Sequence, residues 1–427
     1  MKIFCIGIGG IGLSGVAQIL SSQGHEVSGS DSSTSEITTY LSEHGIRFFP
    51  SQVPANLDED TDLVIYSEAI PENNPERLKA KDLGIKSINY AHALGMITEG
   101  QRLIAITGTH GKTTITGMIT SILLQAKLDP SIIIGSRIDL LEGQNFRVGG
   151  GELFLAEACE YRDNFLTLTP SVMLINSLEP DHLDYFKTAE NYYASYQKLA
   201  EKIPENGTVI IYLSELQHLN RSRLICKVVL MDNEEASESS FTLQVPGRHN
   251  QRNAYAASKV AELLGIDADT IVRGLQNFHG TWRRFEYKGE INGAKVYDDY
   301  GHHPTEIKAT LQAAREWFPD IHLVLVFQPH QYSRTREFFD QFCTSFAQAS
   351  EVWITDIYKA RDSEEDIHST SAEILAQSVQ DIPASYVAFD QLARKIAQSA
   401  DPSRVFLVMG AGNISQIFSD LRELKKY

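Results

Sequence analysis

A chain of 427 residues exceeds one ordinary hydrophobic core, and the usual size of about 150 residues per domain predicts about three domains. Its formal net charge of −17 argues against a nucleic-acid partner, because phosphate backbones are held by clustered Lys and Arg. With 42% hydrophobic and 22% charged residues, and no apolar run near the roughly 18–20 residues that span a bilayer, the composition is that of a soluble globular enzyme without membrane insertion.

The opening Met1-Lys2-Ile3-Phe4-Cys5-Ile6 reads as a buried strand running into glycines, not as a signal peptide. Cys5, Cys159, Cys226 and Cys343 are scattered, with no CxxC pair and no histidine at metal spacing. Neither a disulfide framework nor a structural zinc site is indicated, and a reducing cytoplasm is the expected compartment. A monomer or homodimer is expected.

Along residues 1–100, strands at Ile3–Ile8, His25–Gly29 and Asp62–Tyr66 alternate with helical stretches, the first from Gly12. This βαβ rhythm predicts a parallel sheet with helices on both faces. A second such rhythm begins at Leu103–Ile106, continues with a helix from Lys112, and includes strands at Leu153–Ala156 and Val172–Ile175. The stretch from Asn206 to Pro246 is less regular, and Glu234–Ser240 reads as an acidic, serine-rich surface loop. After Arg284 a third α/β pattern follows, with strands at Lys295–Tyr297, Leu323–Phe327, Glu351–Thr355 and Val405–Met409. The expected domains are therefore 1–100, 101–285 and 286–427.

Gly7-Ile8-Gly9-Gly10-Ile11-Gly12 satisfies G-x-G-x-x-G directly after the first strand, and Asp31 ends the next, where a ribose-binding acid would fall. Backbone without side chains lets a pyrophosphate approach the unpaired N–H groups of a helix N-terminus. The motif alone leaves NAD, FAD and a UDP-sugar open, as well as a plain tight turn. Ser67, just past the third strand, is a further candidate for that site.

Thr107-Gly108-Thr109-His110-Gly111-Lys112-Thr113-Thr114 follows an apolar strand and opens a helix, the context that supports a phosphate loop. Ile106 stands at the first glycine position of the usual pattern, but the chemistry survives. Backbone amides cradle phosphates, Lys112 reaches the outer oxygens, and the Thr113 hydroxyl suits Mg²⁺. Glu157 and His182 each follow a strand of the same domain, where α/β sites form, and together offer oxygen and imidazole ligands to a metal. Gly247-Arg248-His249-Asn250-Gln251-Arg252-Asn253 precedes an alanine-rich helix, with Asn250 and Asn253 on one face of its first turn. An adenine edge needs both a donor and an acceptor, which asparagine carries, and Asn250 is also a candidate N-cap.

Six blocks, Thr107–Thr114, Glu157–Arg162, Asp181-His182, Gly247–Asn253, Gly280–Glu286 and Asp298–Glu306, together resemble in order the signature blocks of the Mur ligases. The resemblance covers essentially the whole chain. Folylpolyglutamate synthases share the phosphate loop but lack the N-terminal glycine-rich domain. Gly7–Gly15, Asp298–Glu306 and Phe327–Arg336 resemble most the branch that adds L-alanine. The segment between Gly207 and Pro246 is shorter than the family pattern.

The resemblance implies an α/β fold of three domains. These are an N-terminal Rossmann-like UDP-binding domain, a central P-loop ATPase-type parallel-sheet domain and a C-terminal Rossmann-like α/β domain. It also implies a ligase that activates the lactyl carboxylate of UDP-N-acetylmuramate with ATP and Mg²⁺ and joins it to L-alanine, in peptidoglycan precursor synthesis. Carried over residue by residue, Gly9, Gly10, Ile11, Gly12, Asp31 and Ser67 would hold the UDP-sugar. Gly108, Thr109, Gly111, Lys112, Thr113, Thr114, Asn250, Asn253, Arg284 and Asp299 would hold ATP, and Thr113, Glu157 and His182 would hold metal. Lys112 and Arg284 would also stabilise charge on the phosphates during transfer. His302 and Arg334 would place the amino acid, with Arg336 a weaker candidate. An NAD-dependent oxidoreductase would use only the first glycine loop, and a regulatory P-loop ATPase only the second.

Overall fold

The computed structural model describes all residues except 239–240, 361 and 425–427. They form two compact units, Met1–Thr242 with Arg252–Phe278 and Leu243–Gln251 with His279–Tyr427. The first carries two sheets and the second carries one.

In the first sheet, β1 (Lys2–Ile6), β2 (Glu26–Ser30), β3 (Arg47–Phe49), β4 (Leu63–Tyr66) and β5 (Lys86–Asn89) lie in the order β3-β2-β1-β4-β5, all parallel. The chain leaves β1 to one side and returns at β4 on the other. This is the switch point outside the carboxyl ends of the strands where open α/β sheets bind ligands, and the first glycine loop occupies it.

The second sheet has seven strands, β6 (Arg102–Thr107), β7 (Ser131–Ile138), β8 (Gln144–Arg147), β9 (Leu153–Glu157), β10 (Val172–Ile175), β11 (Thr208–Tyr212) and β12 (Lys227–Met231). Their order is β12-β11-β10-β6-β9-β7-β8, parallel except for the β7–β8 pair. Ile104, Ala105, Ile106, Leu155, Ala156, Met173, Leu174 and Ile175 have essentially no exposed surface. Continuous apolar runs of this kind mark strands covered on both faces. β6, at the centre, delivers the phosphate loop between β9 and β10.

The second unit holds β13 (Glu286–Ile291), β14 (Ala294–Asp299), β15 (His322–Phe327), β16 (Glu351–Ile354), β17 (Ala384–Tyr386) and β18 (Arg404–Met409). Their order is β13-β14-β18-β15-β16-β17, with only β13 antiparallel. The carboxyl ends of β14, β18 and β15 are neighbours, so the loops after Asp299, Phe327 and Met409 converge.

Two expectations are corrected. The acidic stretch after Asp232 is not a loop up to residue 238 but a helix, Asn233–Glu238, and residues 239–240 of that stretch lie outside the described residues. Asp232 caps this helix, its Oδ1 accepting from the amides of Glu234 (2.6 Å) and Glu235 (3.3 Å). The two glutamates fall in the first turn, where negative charge is favoured. Asn250 does not cap its helix either. The helix runs Arg248–Leu263, and Asn250 lies inside its first turn, its Nδ2 donating to the Pro246 carbonyl at 2.6 Å.

Candidate active site

Two helices of the first unit begin with no side-chain cap and no acidic residue in the first turn: Ile11–Ser22 behind Gly10, and Lys112–Gln125 behind Gly111. Their first amides are unsatisfied by side chains, which makes each N-terminus an anion site by backbone alone.

Around the first, Asp31 stands after β2 and its Oδ2 accepts from the Gly9 amide at 2.9 Å, bracing the loop. A Cβ on Gly9 would come within 2.9 Å of that oxygen, and one on Gly12 would come within 2.9 Å of the Tyr90 ring. The glycines are therefore required by close approach. In front of the loop lies a cleft of about 380 Å³, lined by Gly10–Leu13, Ser67, Glu68 and Tyr90 on one side and by Ile133–Gly135, Glu157 and Cys159 on the other. The cleft joins the first sheet to the second. Tyr90 and Gly135 carry no local signal in the sequence. Gly135 is needed because a Cβ there would lie 2.6 Å from Glu157 Oε2, and its amide donates to that oxygen at 2.8 Å.

Around the second, Glu157 Oε1 accepts from the Thr113 hydroxyl at 3.0 Å. A hydroxyl and a carboxylate, both hard oxygen donors, fit Mg²⁺ at this point. Gly111, with φ +80°, packs where a Cβ would lie 2.5 Å from Asn253 Oδ1 and 2.7 Å from Asn176 Nδ2. Gly108 likewise lies against the backbone of Asn176 and Ser177. The Thr109 hydroxyl donates to the Glu179 carbonyl at 2.6 Å, tying the loop to the segment after β10. Thr114 follows within the helix. His182, in the left-handed region at φ +55°, has Nε2 3.8 Å from Asp181 and 3.9 Å from Glu160, with the Tyr161 ring 4.7 Å away. The structure thus adds Glu160 to the carboxylates facing this histidine.

Lys112 is folded onto its own loop. Its ammonium donates to the carbonyls of Gly108 (2.6 Å) and Thr109 (3.2 Å) and to both oxygens of Glu160 (3.2 and 3.1 Å). Burial alone would lower its pKa, but the Glu160 carboxylate leads the charges that raise it above the usual lysine value.

In the second unit, both oxygens of Asp299 are engaged by amides, Oδ1 by Gly301 at 2.7 Å and Oδ2 by Phe285 at 2.8 Å. Burial nevertheless pushes its carboxyl up, opposed by Arg284. Arg284 lies 3.8 Å from Glu306 and over the Tyr300 ring. Its neighbour Arg283 is buried and pairs with Asp298 at 3.0 Å, donating also to the Gly410 carbonyl at 2.6 Å. His302 sits 3.6 Å from Glu306, and its ring faces His330 at 5.8 Å. Arg334 is buried, its Nη1 3.2 Å from His330 Nδ1 and 3.1 Å from Gln331 Oε1. His302, His330 and Arg334 therefore form one polar group at the ends of β14 and β15. Arg336 is directed elsewhere, half exposed and 3.0 Å from Asp366. The two arginines are two residues apart on one helix, Tyr332–Glu337, and so project to different sides. His330 lay within a recognised block, but nothing in the sequence singled it out.

No helix among the described residues is long and apolar enough to cross a membrane. Three family models match the chain: the Mur ligase family catalytic domain over residues 2–102, the Mur ligase middle domain over 106–238, and the Mur ligase glutamate ligase domain over 283–412. The chain is 38% identical to the UDP-N-acetylmuramate–L-alanine ligase of Clostridium kluyveri, over 97% of this chain and 96% of that protein. It is 39% identical to the same-named ligase of Acetivibrio thermocellus, over 96% of this chain and 93% of that protein. Among solved structures it is similar to the UDP-N-acetylmuramate–alanine ligase of Thermotoga maritima, with a TM-score of 0.82, 27% identity, and coverage of 100% and 99% of the two chains.

Proposed function

Because this chain belongs to the Mur ligase family, whose members depend on ATP, we propose that it joins L-alanine to the lactyl carboxylate of UDP-N-acetylmuramate. The observation that carries this reading is the position of Glu157. One carboxylate both faces the cleft in front of the first glycine loop and bonds to Thr113 of the phosphate loop. A substrate carboxylate lying in the cleft would there meet the terminal phosphate of a nucleotide on the loop.

A carboxylate is a poor acylating agent at neutral pH. In the proposed first step its oxygen attacks the γ-phosphorus of ATP and ADP leaves, giving an acyl phosphate. In the second, the free amine of L-alanine attacks the acyl carbon, loses a proton, and inorganic phosphate leaves. The amide is the new bond, and one phosphoanhydride is consumed. Bound Mg²⁺, for which Thr113, Glu157 and His182 are the proposed ligands, would offset charge on the phosphates. The helix N-terminus behind Gly111, with Lys112 and Arg284, would serve the same charge, mainly by electrostatics.

Asn250 and Asn253 are the proposed adenine contacts, and Asp299 the contact to the ATP ribose or a bridging water. Gly9–Gly12, Asp31 and Ser67 are assigned to the UDP-sugar, and His302 and Arg334 to the incoming amino acid. Arg336, turned to Asp366, is dropped from that set. The corresponding domains are 1–100 for the sugar nucleotide, 101–285 for ATP and 286–427 for the amino acid.

Hydroxylamine tests the intermediate. Enzyme, UDP-N-acetylmuramate, ATP, Mg²⁺ and hydroxylamine without L-alanine should yield the hydroxamate of the sugar nucleotide by mass spectrometry. His302→Ala and Arg334→Ala should still form it while losing alanine ligation. An enzyme that ligates alanine yet never forms the hydroxamate would count against an acyl phosphate made before the amino acid binds.

A further inference from the structure

We propose that Glu160 is a positioning residue that holds Lys112 against its own loop until ATP arrives, so that nucleotide binding exchanges the Glu160 carboxylate for phosphate as the partner of the lysine. The proposal rests on the reading of Thr107–Thr114 as the ATP loop.

An ammonium group has three donors, and here they are spent on the Gly108 and Thr109 carbonyls and the Glu160 carboxylate. Lys112 therefore cannot reach a phosphate oxygen without giving up a bond it already makes. The pair is well shielded, with side-chain exposures of 14% for Lys112 and 2% for Glu160. Inside a protein such a pair is costly to break in one half, because the remaining charge is left without compensation.

Glu160 is also held where it is. It precedes two consecutive left-handed residues, Arg162 at φ +56° and Asp163 at φ +59°, a conformation disfavoured for side chains with a Cβ and found where the surroundings over-determine it. Asp163 is anchored there by the hydroxyls of Tyr185, at 2.8 Å, and Ser195. The carboxylate is thus presented to Lys112 by a braced turn.

When Lys112 moves to the phosphates, Glu160 stays behind with His182 beside it and with the Glu157 carboxylate in the same site. Two acidic groups, Glu157 and Glu160, both close enough to act on Lys112, then share a site that has lost its lysine. ATP without a divalent cation should bind poorly for that reason, and the weakness should trace to Glu160.

The test is calorimetric titration of the full-length protein with ATP in chelator and again in Mg²⁺, for wild type, Glu160→Gln and Glu160→Asp, with and without Lys112→Met. Glu160→Gln should tighten metal-free ATP binding by about fivefold or more, since one buried negative charge is removed and the lysine is released. Glu160→Asp, which keeps the charge on a shorter arm, should stay nearer to wild type. In the Lys112→Met background the Glu160→Gln effect should shrink, because there is no lysine to release. Unchanged or weaker metal-free binding in Glu160→Gln, with wild type binding normally, would overturn the proposal and leave Glu160 a structural support. If Glu160→Gln does not fold, Glu160→Ala takes its place, and metal-free ATP binding by that variant no tighter than wild type would overturn the proposal equally. Failure of the wild type to bind ATP in either condition would instead remove the reading of the loop.

Discussion

The two glycine loops of the first unit hold equivalent places, each after a buried strand and before a helix with no side-chain cap, but they are built differently. Gly7–Gly12 presents mostly bare backbone, braced by one carboxylate, Asp31. Thr107–Thr114 carries a charge whose donors are already engaged, with Lys112 bonded to its own loop's carbonyls and to Glu160 and Thr109 tied to the segment after β10. The first is shaped by steric fit and should fail when space is lost. The second is an electrostatic device and should fail when a charge is lost.

The largest expected effect breaks that difference at its strongest point. Lys112→Ala should lower turnover by about 10²–10³-fold or more, the scale of losing one donor to developing charge. UDP-sugar affinity, measured by calorimetry, should stay close to wild type, because the sugar nucleotide is assigned to the other loop. A parallel loss of both affinities would mean that the two loops do not serve separate ligands.

Next in size, Glu157→Gln and His182→Ala should each raise the Mg²⁺ concentration for half-maximal rate by about 10- to 100-fold. The double variant should cost much less than the product of the two, as neighbours sharing a metal do. Unshifted Mg²⁺ titrations would return both residues to the loop structure. The same pair of titrations on Asp31→Asn should show no Mg²⁺ effect, since the sugar-side loop is assigned no metal.

The steric loop has its own test. Gly12→Ala would drive a methyl to within 2.9 Å of the Tyr90 ring, pushing that ring toward the cleft, and should weaken UDP-sugar binding by about tenfold while leaving ATP binding intact. Gly12→Ala combined with Tyr90→Ala should recover part of the loss, since the clash then has no partner. Equal binding by the single variant would show that the ring yields without cost.

How much of this was legible beforehand follows from where each feature gets its stability. β1, β6, β9 and β10 were readable because strands buried on both faces must be continuous apolar runs, and the glycine and lysine motifs were readable because their chemistry is local. Strand ends moved by one or two residues, as β14, expected at Lys295–Tyr297, is Ala294–Asp299. The edge strands β3, β5, β8, β12, β13 and β17 were missed, being short or only half covered, and so were the interior strands β7 and β11, although β11 is buried throughout. Glu160, Tyr90 and Gly135 had no visible role because their partners lie far along the chain: Glu160 meets a lysine 48 residues earlier, and Tyr90 meets Gly12 only because a helix of the first sheet folds back on the loop. Bulky residues at positive φ, such as Arg162, Asp163, Arg283, Phe285 and Gln331, give no composition signal at all, because tertiary contacts alone hold them there.

The smallest expected effect uses a thiol as a reporter of the cleft between these loops. Of the four cysteines, Cys159 is exposed while Cys5, Cys226 and Cys343 are buried, and Cys159 lines the same cleft as Gly10–Leu13 and Glu157. Although the residue borders the open cleft, the protein atoms packed around its thiol desolvate it, and this, followed by the Glu160 carboxylate, pushes the thiol up to about 12, with Lys112 opposing. The thiolate is the reactive form, so alkylation by iodoacetamide should be slow at neutral pH and rise about tenfold per pH unit through pH 10 without levelling, where an ordinary thiol of pKa about 8.5 would have levelled. Glu160→Gln should speed the reaction at a given pH, by removing a neighbouring negative charge, and a bound UDP-sugar should slow it by covering the cleft. ATP alone should protect less, because its loop opens beyond Glu157. A pH profile that levels near 9 would mean that the thiol is solvated, and protection by ATP equal to that by the sugar nucleotide would place Cys159 on the phosphate side of Glu157 and blur the separation of the two loops.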